Sequence, residues 1–269
     1  MRIFLTFITF IAITFADTHY AKLEPVTTVT LKAQVSGKVV EAKKNLEASV
    51  VNGLVVKLDD KLDKIDLNST KESLKLISKM IELNQKLLPL LKENVDKKRA
   101  LYQNIIKVSS SSKNQKNSLF LAYVTAKNQY SATKEKILNL KNQKVSLQEK
   151  IAALNDKIAK KHFIIKDKYL YNLYVNRGDF VTVSMPIADI SDISKAKLTI
   201  YLSEDELKDI DKKKIYLDGK ETNLKFSKIW KIADKKYISS YKAEIILKPI
   251  ERFSKLVKVE VKWFKQHVL

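Results

Sequence analysis

The chain has 269 residues and a formal net charge of +21, with no Cys, four Gly and four Pro. Without cysteine there is no disulfide framework, thiol chemistry, iron–sulfur ligation or lipoprotein cleavage box. The cations are nearly all Lys, with Arg only at positions 2, 99, 177 and 252. Nucleic-acid readers favour the bidentate fork of Arg instead. No concentrated basic patch stands out, so the charge reads as solvated helix faces; the alternative is attraction to an acidic partner or anionic headgroups.

Met1-Arg2 is followed by an uncharged, mostly apolar stretch, Ile3 to Ala16. That run is short of the roughly 20 residues a membrane span needs. It fits the h-region of a secretory signal peptide, residues 1–16, with Thr14-Phe15-Ala16 at the cleavage site; an uncleaved anchor is the alternative. Either way the remainder leaves the cytoplasm, and an export signal before a cysteine-free, lysine-rich chain reads as bacterial and periplasmic. Pro25 to Leu58 is rich in β-branched residues: Val26–Leu31, Val35–Val40 and Val50–Val56 read as short strands. Gly37 and Gly53 are taken as turn glycines.

Two heptad ladders follow. One runs from Leu67 through Leu74, Ile81, Leu88 and Val95 to Ile105, the other from Leu119 through Ala126, Ile137, Leu147 and Leu154 to Ile158. A 3.5-residue repeat sustained this long signals a coiled coil. The polar connection Val108–Asn117 is too short to be a domain, so the helices fold back as an antiparallel hairpin over 67–161. Roughly 40 residues at about 1.5 Å each make a rod on the order of 60 Å long. Pro89 lies inside the first ladder and predicts a kink or break near Leu87–Leu90, or two stacked helices. Asn84, Lys98 and Lys144, polar at ladder positions, are read as register-setting.

Behind the rod, Tyr169–Val175 and Phe180–Val181 flank the turn Asn176-Arg177-Gly178-Asp179, and Pro186 precedes a strand over Ile187–Ile190. The ends of an antiparallel hairpin lie side by side, so residues 34–66 and 162–190 are expected to form one β-domain at its base. From Ser194 further strands are expected at Leu198–Leu202, Lys214–Gly219, Leu224–Trp230, Tyr241–Leu247 and Val257–Trp263. Between the first two, Ser203 caps a helical turn with Glu206 at N3. Regular spacing of this kind predicts a small antiparallel barrel over 191–269, with 17–33 contributing a joining strand.

This order of parts resembles the periplasmic adaptor subunits, or membrane fusion proteins, of RND efflux pumps and haemolysin D-type secretion systems. The resemblance rests on Val35-Ser36-Gly37-Lys38-Val39 and Val50–Asp59 as the first half of a lipoyl-like domain. Val175–Val181 and Ile187–Asp192 match the second half, and Ala196–Leu207 the start of the barrel. Departures stand at Ile164, Ile165 and Lys168, where the family has Ala-Pro and a following Gly, and near Glu47, where it has a turn Gly. The hairpin-tip motif of efflux adaptors is matched loosely by Lys98, Tyr102 and Ser109. The resemblance implies an α+β chain: a long helical hairpin inserted in a lipoyl-like β-domain, followed by a small antiparallel β-barrel. It further implies an adaptor between an inner-membrane transporter and an outer-membrane channel, assembled as a homo-oligomeric ring, a hexamer in the family.

The chemistry of catalysis is not in evidence. His19, His162 and His267 are far apart in sequence and read as solvated surface histidines. Met80 and Met185 are too few for a soft-metal site, and no Lys stands out for lipoylation. No phosphate loop or nucleophile context occurs. The reading is a non-enzymatic adaptor without cofactor or metal, binding no nucleic acid. Its partner-binding tip comprises Lys98, Tyr102, Ser109, Ser110, Ser111 and Ser112, and Gly37, Gly53, Gly178 and Asp179 are structural turns. A non-transport envelope scaffold that oligomerises through the coiled coil is the alternative.

Overall fold

The computed structural model describes residues 18–263. The expected signal peptide and His267 lie outside the described residues. In chain order the elements are β1 (Thr18–Lys22), β2 (Glu24–Lys32), β3 (Gly37–Ala42), β4 (Ser49–Leu58), α1 (Lys61–Ile105), α2 (Lys113–Lys160), β5 (His162–Leu173), β6 (Phe180–Val181), β7 (Pro186–Ser203), α3 (Glu204–Leu207), β8 (Lys213–Leu217), β9 (Lys220–Thr222), β10 (Phe226–Ile229), β11 (Ser240–Leu247) and β12 (Leu256–Trp263).

The helices α1 and α2, 45 and 48 residues long, form the antiparallel hairpin, and their rise gives a rod of about 70 Å. Its seam is the heptad ladder: every ladder position from Leu67 to Ile105 and from Leu119 to Ile158 is buried or half-buried, while most other helix positions are exposed. Leu67, Thr70, Ile81 and Val95 face Ala126, Ile137, Leu140 and Leu154 as the most enclosed members.

Two expected boundaries of the rod are corrected, and of the readings of Pro89 the break and the stacked pair of helices are ruled out. No break occurs at Pro89: it lies on the exposed face inside one continuous helix, where Leu88 and Leu91 still point to the seam and carry the helix past the missing N–H. The connection is residues 106–112, not Val108–Asn117, because Ser112 and Gln115 form a capping box that starts α2 at Lys113. The first helix starts at Lys61 rather than Leu67, for a reason given by the charged rod base below.

Strands before the rod pair with strands after it. β4 runs antiparallel to β5 with Lys57 opposite His162, and β3 pairs with β6 through Gly37 opposite Val181. Val39 N donates to Asp179 O at 2.8 Å and Gly178 N to Val39 O at 2.9 Å, hooking the 176–179 turn onto β3. The buried core of this unit mixes both sides of the insertion: Val39, Val55 and Leu58 with Ile165, Leu170 and Leu173.

A second core contains Leu198, Ile200, Leu202, Ile215, Ile245 and Val259. β7 serves both. Its 18 residues form one strand, burying Ile187 and Ala188 in the first core and Ala196 to Leu202 in the second; the expected break between two strands is absent. β2 also departs from expectation. It pairs with β7 from Lys197 to Pro186 and packs Leu31 on the first core, while β1 joins the second through β12. The expected strand Lys214–Gly219 is a hairpin instead: Asp218 and Gly219 take φ of 48° and 81° between Leu217 and its partner Lys220. Positive φ at both central residues is what a two-residue turn between twisted strands requires.

Candidate functional site

The distal end of the rod is closed by side-chain hydrogen bonds. Ser111 Oγ donates to Val108 O of the connection at 2.7 Å and to Ile105 O, the last carbonyl of α1, at 3.0 Å. Ser112 caps α2, and Ser109 and Ser110 are exposed. Lys98 and Tyr102 are half-buried on the seam. The Tyr102 ring lies 5.3 Å from Phe120 and stacks on Tyr123 at 6.5 Å with 4° between planes. Ser111 and Ser112 shape the end itself and Tyr102 packs across the seam below it, while no side-chain hydrogen bond or ring contact among the described residues joins Lys98, Ser109 or Ser110 to them. Outward stand side chains that the sequence reading did not single out: Leu101, Ile106, Val108, Phe120 and Leu121 are all exposed.

Charge on the rod is divided by where the acids fall, not by where the cations do. Residues 97–134 hold eight Lys and Arg and no Asp or Glu, whereas helical residues 61–96 and 135–160 hold 13 cations and nine acids. The signal was in the sequence, as a gap between Asp96 and Glu135. Within 97–134 only Lys97 makes an ion pair among the described residues, with Glu93 at 2.7 Å.

The proximal end is built from buried charge. Continuing each ladder one step gives Asp63 and Lys161, and these two bond directly across the seam, both buried. Lys157 adds a contact to Asp63 at 2.8 Å, and Lys161 also donates to Asp59 O at 2.7 Å. Asp60, buried just before α1, lies 2.8 Å from Lys64 and 2.9 Å from His162. Burial pushes both carboxyls up, but the surrounding Lys and His groups outweigh it and hold each below the ordinary aspartate value. This clamp explains why α1 reaches back to Lys61: the ladder continues there in ionic form.

His19 and His162 are partnered rather than solvated. His162 belongs to the clamp, and His19 Nε2 sits 2.6 Å from Glu206. Burial raises the Glu206 carboxyl, and contacts with His19 and Ser203 bring it below the usual glutamate value. Of the four expected turn positions, Gly178 has φ of 103° in a turn closed by Asn176 N donating to Asp179 Oδ2 at 2.7 Å. Gly53 lies inside β4, at a bulge and with φ of 147°. Gly37 opens β3, where an added Cβ would meet Leu58 at 3.4 Å. Among the described residues no helix is long and apolar enough to cross a membrane.

No protein-family model matches the sequence and no curated protein is significantly similar to it. Solved structures do match. MacA from Actinobacillus actinomycetemcomitans superposes over 93% of this chain and 78% of its own, at 18% identity and a TM-score of 0.62. A MacA–MexA chimera carrying the Pseudomonas aeruginosa MexA α-hairpin domain covers 93% and 81%, at 17% identity and 0.59. The chain has the membrane fusion protein fold. A third example, the membrane fusion protein Spr0693 from Streptococcus pneumoniae R6, covers 93% of this chain and all of its own at 8% identity and 0.53. The hairpin and the β-units beside it are thus shared at identities where only the architecture persists.

Proposed function

We propose that the chain is a periplasmic adaptor that links an inner-membrane transporter to an outer-membrane channel in a tripartite efflux or secretion system. The observation that carries this reading is the hairpin: a rod of about 70 Å, fixed at its base by the buried Asp63–Lys161 pair and closed at its tip. Such an element transmits position along its length. Its base is a lipoyl-like domain (34–66 with 162–190), the second core is the adaptor's barrel (191–269), and copies assemble side by side into a ring. The tip, Lys98 to Ser112 and the start of α2, is the channel-binding end. Coupling is mechanical and needs no cofactor.

A photocrosslinker at the exposed Ser110 tests this in cells of the source organism. Capture of an outer-membrane channel protein is expected. Normal export with no channel captured would overturn the reading in favour of an envelope scaffold.

A further inference from the structure

The two most exposed large apolar side chains among the described residues, Ile238 at 86% and Ile232 at 81%, belong to one loop. It connects β10 to β11 and reads Trp230-Lys231-Ile232-Ala233-Asp234-Lys235-Lys236-Tyr237-Ile238-Ser239. Lys231, Lys235 and Lys236 are exposed too. The loop is tied down. The Asp234 carboxylate accepts from Lys236 N at 2.8 Å and Tyr237 N at 3.1 Å, and Asp234 N donates to Ser240 O at 2.8 Å. The Tyr237 ring lies 4.2 Å from Tyr201, and Lys242 Nζ lies 4.4 Å above Trp230. With its one acidic group engaged by backbone, the loop exposes two isoleucines and three lysines, of which Lys236 lies 5.5 Å over the Tyr237 ring.

Contacts around the loop also fix where it stands. Ser240 pairs with Ser203, Ser203 caps α3, and Glu206 of α3 contacts His19. The loop therefore sits at the end of the sheet where the described chain begins, directly after the apolar stretch Ile3–Ala16.

We propose that loop 230–239 is a lipid-contact site: Ile232 and Ile238 enter the headgroup boundary of an anionic membrane, and Lys231, Lys235 and Lys236 lie against lipid phosphates. Protruding aliphatic residues flanked by Lys, Tyr and Trp match the chemistry of that boundary. Lysine serves as a compact point charge that needs no fixed partner geometry, whereas a specific acidic protein site favours Arg. A single shallow contact binds a membrane only marginally, and a second signal converts it to a stable one. The inference does not rest on the adaptor reading and holds for an envelope scaffold equally.

The absence of cysteine makes the test clean. Full-length chain carrying I238C, or separately I232C, is labelled with an environment-sensitive fluorophore and mixed with vesicles of phosphatidylcholine with or without phosphatidylglycerol. The rod label S110C is the control. With phosphatidylglycerol the loop labels are expected to shift blue and be quenched by shallow nitroxide lipids, and the S110C label to stay in water. K231Q/K235Q/K236Q should weaken the loop signal by about tenfold or more. Loop labels that remain aqueous while the protein floats with vesicles would overturn the proposal. So would equal response without anionic lipid, equal quenching at S110C, or a blue shift that appears only on adding an acidic protein.

Discussion

Asp63 and Lys161 hold the most consequential positions for the rod. Each occupies the next ladder step beyond the apolar seam, and each is buried. A buried ion pair contributes little over well-packed hydrophobes, yet removing one partner strands the other and costs about 3–5 kcal/mol. D63L is therefore expected to lower stability by about 3 kcal/mol, while D63L/K161L extends the apolar seam and returns to within about 1 kcal/mol of native or above it. Urea midpoints of the three proteins check this, and a double variant as damaged as the single would refute it. Acid acts on the same class of contact. Asp192 on β7 lies 2.5 Å from Lys168 of β5. The hydrogen bond from Lys168, with those from Ser194, holds its carboxyl at about 2. The folded pKa is below the unfolded value of about 3.9. The stability this provides is complete well above 3.9 and disappears as pH falls through about 2. Asp60 and Asp63, also lowered, add to the slope in the same direction. Between pH 5 and 2 the urea midpoint of D192N should fall less than that of the native chain; parallel curves would show that the bridge contributes nothing.

At the scale of elements, the division of charge along the rod yields the next expectation. With no acid between residues 97 and 134, the distal end presents unpaired lysines around the exposed Ile106 and Val108, a surface complementary to an acidic partner with an apolar centre. K107Q/K113Q/K116Q should cut crosslinking from Ser110 by about tenfold and flatten its dependence on salt. K71Q/K75Q/K79Q, at the mixed-charge base, should leave capture unchanged; equal losses would remove the distal charge from the argument. The elements also differ in how plainly the sequence announces them. The seam was legible because a 3.5 period places apolar residues at most steps, and every step is buried or half-buried. The α3 cap was legible from Ser203 and Glu206 alone. The start of α1 was hidden because the ladder turns ionic at Asp63, which no hydrophobic count detects. His19 and His162 looked solvated because Glu206 and Asp60 reach them only through tertiary contact, 187 residues away in sequence for His19. The single strand β7 was split in the reading because Ser194 and Lys195 sit where two cores hand over, exposed on a strand that neither end interrupts.

For the whole molecule, the decisive feature is that the rod is inserted without sharing a core with the sheets. The ends of the insertion are adjacent: Lys57 pairs with His162, and Leu58 N donates to Lys161 O at 2.9 Å. The seam and the two β cores have no buried apolar member in common, so the rod draws its stability from its own ladder. The pairing of β4 with β5 needs only that the ends be held close, and loop-closure entropy grows slowly with length, by about 0.6 kcal/mol per doubling. Replacing residues 61–160 by a short Gly/Ser turn should therefore leave both β cores folded, since it shortens the closure and removes no residue from either core. The excised protein is expected to keep its strand signal in circular dichroism and a cooperative melt, and to retain amide protection at Leu170, Leu198 and Ile245. The lost part of the spectrum should be helical alone. Loss of protection at Leu198 would show that the rod supports the second core through contacts at its base, and that the insertion is a pillar of the β-units instead of an appendage to them.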